Sequence, residues 1–123
     1  MPQQPDDLRI TVSAHGPLTV VALAGELDLE AEDAFRAALR DAERPGEVLV
    51  VDMSALDFVD STGSRILIEA HGRARQRGGR LIVVSGTGTA HLLLARSGLD
   101  RYLTLVPDLE QAAASARPGG GAV

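Results

Sequence analysis

Hydrophobic and polar positions follow two different periods along the chain. "LRITVSAH" (8–15) and "LTVVALAG" (18–25) carry β-branched residues in rough alternation, which predicts two strands. Gly16-Pro17 between them predicts a hairpin turn. The period then lengthens. Ala31, Ala34, Phe35, Ala38, Leu39 and Ala42 fall on one helical stripe. Asp28 is placed to cap that helix, acidic residues crowd its first turns, and Pro45-Gly46 stops it. "EVLVVDM" (47–53) is a short, nearly continuous apolar run and predicts a strand buried on both faces. Ile66, Leu67, Ala70 and Ala74 make a second helical stripe that ends near Gly78-Gly79. "RLIVVSG" (80–86) predicts another buried strand, and "TAHLLLARSG" (89–98) a short helix closed by Gly98. "YLTLV" (102–106) predicts a last strand and "PDLEQAAASA" (107–116) a last helix.

The order β-β-α-β-α-β-α-β-α implies an α/β fold: a mixed, mostly parallel sheet of about five strands with about four packed helices. At 123 residues this is one domain, expected over 8–116, with flexible ends at 1–7 and 117–123. Right-handed crossovers gather the strand-to-helix turns at the carboxyl edge of such a sheet, where these folds bind ligands and partners. "GELD" (25–28), "DFVDSTG" (57–63) and "SGTGT" (85–89) are expected together there.

The middle turn is the densest in chemistry. Asp60, Ser61 and Thr62 are all strong N-cap residues, and one of them must start the second helix. A cap alone leaves Gly63 unexplained, since Gly in a first turn costs about 1 kcal/mol against Ala. An aspartic protease is disfavoured, because one residue too many separates Asp60 from the Thr-Gly pair and a second carboxylate is needed. A serine hydrolase would need Gly two residues before Ser61 and a nearby His; His15, His71 and His91 are scattered. "GTGTAH" (86–91) lacks the third Gly of a dinucleotide fingerprint and reads as a turn with hydroxyl caps. The basic run "HGRARQRGGR" (71–80) reads as a solvated helix end favoured by the helix dipole, with an acidic partner as the alternative.

Composition narrows the field. There is no Cys, which excludes disulfides, zinc-thiolate sites and cysteine nucleophiles. Aromatics make up 2%, so the core must be built from Val, Leu, Ile and Ala. The net charge of −5 argues against nucleic acid or anionic membrane as a partner. The polar, acidic start does not resemble a secretory signal, and no apolar run has the ~18 residues of a membrane span, so a cytoplasmic location is expected. All twelve basic residues are Arg, a hint of a GC-rich bacterial genome.

"GELDLEAEDAFRAAL", "VLVVDMSALDFVDSTG" and "GGRLIVVSG" with "LLLARSGLD" together resemble the STAS-domain anti-sigma factor antagonists, the partner-switching regulators of bacteria. The resemblance spans about 8–116 and implies the STAS fold. It implies that Ser61 is phosphorylated by an anti-sigma factor that is also a serine kinase, and that a serine phosphatase reverses this. It assigns partner binding to Asp28, Asp60, Ser61, Thr62, Gly63, Ser64 and Arg65. It implies no catalytic residue, metal or cofactor in the chain itself; the partner supplies ATP and magnesium. Family members often carry Leu after the glycine, where this chain has Ser64 and then Arg65. Two alternatives stand beside this reading. One is a non-switching scaffold in a larger regulatory or lipid-transport complex. The other is a small-ligand or nucleotide sensor using the "SGTGT" edge.

Overall fold

The computed structural model describes residues 8–116; the expected flexible ends lie outside the described residues. The hairpin forms as the alternation predicts: β1 (Arg9–His15) pairs antiparallel with β2 (Leu18–Leu27). β3 (Val48–Val59), β4 (Arg80–Val84) and β5 (Thr104–Val106) then add in parallel, giving the strand order β1-β2-β3-β4-β5. The helices are α1 (Glu32–Ala42), α2 (Ser61–Gln76), α3 (Thr89–Arg96) and α4 (Leu109–Ala116).

The strand order dictates where the helices go. Each crossover from β2 to β5 advances in one direction, so right-handed connections put α1, α2 and α3 on the same face. Phe35 and Leu39 of α1, Ile66 and Leu67 of α2, and Leu94 of α3 pack there against Val21, Leu23, Val51 and Val83. A fully buried side chain of this kind stabilises the fold by about 1.5–3 kcal/mol. Among the described residues the other face is covered by α4 alone, through a smaller cluster of Val20, Val50, Ile82, Val84, Val106 and Ala112.

Four expectations are corrected. β3 does not end at Met53 but runs six residues further, to Val59. Two bulges, each adding one residue to β3 opposite β2, explain why the pattern hid this. They convert alternation into a period of three, so Met53, Leu56 and Val59 are buried and the residues between them are exposed. Asp57 and Phe58 are therefore strand residues rather than turn residues. Ala34, placed on the α1 stripe, is exposed. The last strand is shorter than 102–106: a 3-10 turn over Leu99–Arg101 precedes it, which leaves Tyr102 65% exposed.

The fourth correction concerns the sheet edge. Val84, the last residue of β4, is level with Asp52, seven residues before the end of β3. At about 3.3 Å per residue, the "SGTGT" turn lies on the order of 15–20 Å below the "DSTG" turn. It is tucked against β3 instead: a Cβ on Gly86 would lie 2.9 Å from the Ser54 Cβ. Only the "GELD" and "DSTG" turns share the upper edge.

Candidate functional site

Parallel pairing carries β2 and β3 to the same height, with Leu27 opposite Val59. The Asp60 N–H donates to the Leu27 carbonyl at 3.4 Å, which joins the two turns. Each turn then begins a helical segment with an aspartate. Asp28 caps the 3-10 turn Leu29–Ala31 that leads into α1; its Oδ1 accepts from the N–H groups of Glu30 and Ala31 at 3.1 and 3.3 Å. Asp60 caps α2; its Oδ1 accepts from Thr62 and Gly63 at 2.9 and 3.3 Å. Of the three possible caps, Asp60 takes the role, and Ser61 is left as the first helical residue.

Ser61 is exposed, and its hydroxyl has no partner among the described residues. Thr62 and Ser64 are half-buried and Arg65 is exposed. Gly63 is buried, and its reason is packing. A Cβ there would lie 2.7 Å from Val59 Cγ2 and 2.8 Å from Leu27 Cδ2. The glycine lets α2 start directly against the ends of β2 and β3, and so brings Ser61 beside the Asp28 turn. It offers the surface no side chain.

Residues the sequence reading missed complete this surface. Ile68 is 42% exposed although apolar, because it lies off the buried 66-67-70-74 stripe. Ser61, Arg65 and Ile68 are spaced i, i+4, i+7 and therefore form one outward ridge of α2. Leu29, directly after the Asp28 cap, is 69% exposed. The signal was present in both cases: Ile68 is an apolar residue at the wrong helical phase, and Leu29 an apolar residue directly after a capping aspartate. The ridge and the Asp28 turn together thus present one hydroxyl, one cation and two exposed apolar side chains, with the Asp28 and Asp60 carboxylates at the two caps.

The other candidate chemistries separate from it. His91 is hydrogen-bonded through Nδ1 to the Ser85 hydroxyl at 3.0 Å, not to Ser61. Ser85 is buried, and its N–H continues the β4–β5 ladder by donating to the Val106 carbonyl at 2.9 Å. That pair holds the base of the "SGTGT" turn. The expected hydroxyl caps of α3 are not formed: Gly88 is its N-cap and no side chain bonds there. Among the described residues, no group of three or more His, Asp or Glu side chains is placed to hold a metal ion. No described helix is long and apolar enough to cross a membrane.

A family model described as the STAS domain matches residues 9–112. The chain is 32% identical over 120 residues to the anti-sigma-F factor antagonist RsfB of Mycobacterium tuberculosis, covering 94% of each chain. It is 30% identical over 101 residues to the anti-sigma F factor antagonist of Paenibacillus polymyxa, covering 80% of this chain and 86% of that one. The crystal structure of an anti-sigma factor antagonist from Mycobacterium paratuberculosis is similar with a TM-score of 0.83 and 28% identity, covering 95% of this chain and all of that one.

Proposed function

The chain belongs to the STAS domain family, and from that premise we propose that it antagonises an anti-sigma factor and is switched by phosphorylation on Ser61. The observation that carries the reading is the exposed Ser61 hydroxyl, without a partner among the described residues, at a helix start whose capping role is already filled by Asp60. A kinase reaches it without unfolding anything. Thr62 and Ser64, both half-buried, are the poorer acceptors.

Unphosphorylated, the chain binds an anti-sigma factor that is also a serine kinase, and a sigma factor is released. The contact surface is the upper edge and the α2 ridge: Asp28, Asp60, Ser61, Thr62, Ser64 and Arg65, with Leu29 and Ile68 supplying apolar area. Gly63 serves it by setting the approach of α2. ATP and magnesium come from the partner; this chain takes up the phosphoryl group and catalyses nothing. Phosphorylation adds about −1.5 to −2 charges beside Asp60, whose carboxylate already occupies the N–H groups of Thr62 and Gly63. Fewer free donors remain for the phosphate than an uncapped helix start would offer. The added charge therefore faces the partner and weakens the contact. A serine phosphatase restores the binding form. The setting is the bacterial cytoplasm, where sigma factors act.

The test of the site is to incubate the chain with its kinase partner and magnesium-ATP and to map the product by mass spectrometry. One phosphate per chain, on Ser61, is expected. Principal modification of Thr62 or Ser64, or none, would overturn the assignment.

A further inference from the structure

Helical geometry divides the basic run at 71–80 in two. Arg73 and Arg77, four residues apart, both reach Glu43 at the end of α1: Arg73 Nη2 lies 2.8 Å from Oε1 and Arg77 Nη1 2.9 Å from Oε2. His71 and Arg75, also four apart, line a hollow of about 350 Å³ with Arg80, Arg101 and Tyr102. Arg80 opens β4, and residue 104 opens β5, so the hollow lies at the amino edge of the sheet, opposite Ser61.

The lining is cationic in a chain whose net charge is −5. Arg80 is fixed in place: Nη1 donates to the Ser115 carbonyl at 3.2 Å and Nη2 to Thr104 Oγ1 at 3.0 Å. Arg75 and Arg101 have no hydrogen bond or ion pair among the described residues. Asp100 is the one carboxylate of the lining, and it too forms no ion pair there. Three arginines from three separate elements thus line one hollow with a single carboxylate among them. Burial first, and then Arg75 and Arg80, hold the His71 imidazole below its ordinary pKa. Its Nδ1 is buried with no hydrogen-bond partner among the described residues.

We propose that this hollow binds a phosphorylated small molecule, whose phosphoryl oxygens are held among Arg75, Arg80 and Arg101. Guanidinium forks match phosphate oxygens two at a time, and a fixed Arg80 beside two unengaged arginines leaves such forks available. The size suits a small ligand. Convergence on one hollow favours a compact polyanion over an extended acidic peptide, which needs charges spaced along a line. The exposed Tyr102 ring at the rim offers a face to a base. The site is independent of the switch at Ser61.

The test is an NMR titration of the ¹⁵N-labelled chain with pyrophosphate, with adenosine diphosphate and with adenosine. Saturable shifts at Arg75, Arg80 and residues 100–104 are expected with the two phosphate compounds and not with adenosine. Equal affinity for both would mean that the phosphates alone are read; tighter diphosphate binding would add the nucleoside to the ligand. The double variant R75Q/R101Q should keep a folded spectrum and weaken pyrophosphate binding at least about tenfold, through loss of charge-assisted hydrogen bonds. R40Q/R96Q removes the same charge from exposed positions elsewhere and should change it by less than about twofold. Asp100→Asn should tighten it, and Ser61→Ala should leave it unchanged. Absence of saturable shifts, or equal weakening in the two double variants, would overturn the site.

Discussion

At Gly63 two residue-level effects oppose each other. Its backbone is not in the left-handed region, so alanine would gain about 1 kcal/mol of helix propensity on that ground alone. The added methyl would press into Val59 and Leu27, and overpacking of that kind costs about 1–3 kcal/mol. Both neighbours are core residues, so we expect Gly63→Ala to destabilise the fold by up to about 2 kcal/mol; a raised urea midpoint would contradict the packing role. Asp60→Ala removes a cap with two backbone bonds and should cost about 1 kcal/mol in the same assay, with Asp60→Asn retaining most of it. His71 gives a pH dependence. Its folded pKa is lowered from 6.5, so below that value the unfolded chain binds the proton more readily. Stability from this group is fully present above about pH 6.5 and is lost as pH falls toward the folded pKa. Arg75, Arg80, Asp100 and Arg101 are the charged groups that line the hollow with it. Urea midpoints at pH 7.5 and 5.5 should converge in His71→Gln relative to the parent chain, and equal differences would refute this. The aspartate caps were legible in the sequence because a cap is a matter of neighbouring residues. The reason for Gly63 was not, since it depends on Leu27, which lies far away in the chain.

At the level of elements, the helix ends carry information that the hydrophobic stripes do not. Glu43, just past the end of α1, holds Arg73 and Arg77 of α2 with a carboxylate only 5% exposed. It ties the lower ends of the two helices, while half-buried Arg36 links Glu32 and the exposed Glu69 higher up. That more solvated link is worth little in water. The buried one is different: Glu43→Gln should lower stability by about 1–3 kcal/mol, read from urea denaturation, since it weakens hydrogen bonds to two charged groups. A loss no larger than that of Glu69→Gln would show that the carboxylate does not anchor the pair. The basic run was read as a solvated helix end because sequence alone does not say which of its arginines meet a carboxylate 30 residues away. The far half of β3 was missed for a related reason. Its bulges are set by pairing with β2, and a period of three in 53–59 does not look like a strand until that partner is present.

For the whole molecule, the element order and a mixed, mostly parallel sheet with packed helices were legible, because alternating strands and helices with right-handed crossovers leave few topologies. The relative heights of the three turns were not, since they depend on how far β3 outruns β4. This matters for function: the "GELD" and "DSTG" turns stand together at the top, and the "SGTGT" turn lies well below, outside their contact surface. The switch then requires no change of fold. A phosphate on Ser61 sits on a solvent-facing helix start and should alter folding stability by no more than about 1 kcal/mol. Against a partner, the same charge is desolvated beside Asp60 and near Asp28, which can cost several kcal/mol, where about 1.4 kcal/mol is tenfold in affinity. The most direct measurement is calorimetric titration of the anti-sigma kinase with three forms of the chain: unmodified, Ser61→Ala and phosphorylated. We expect the first two to bind alike and the phosphorylated form to bind at least about tenfold more weakly, with melting temperatures nearly unchanged; equal affinities for all three would contradict the switch.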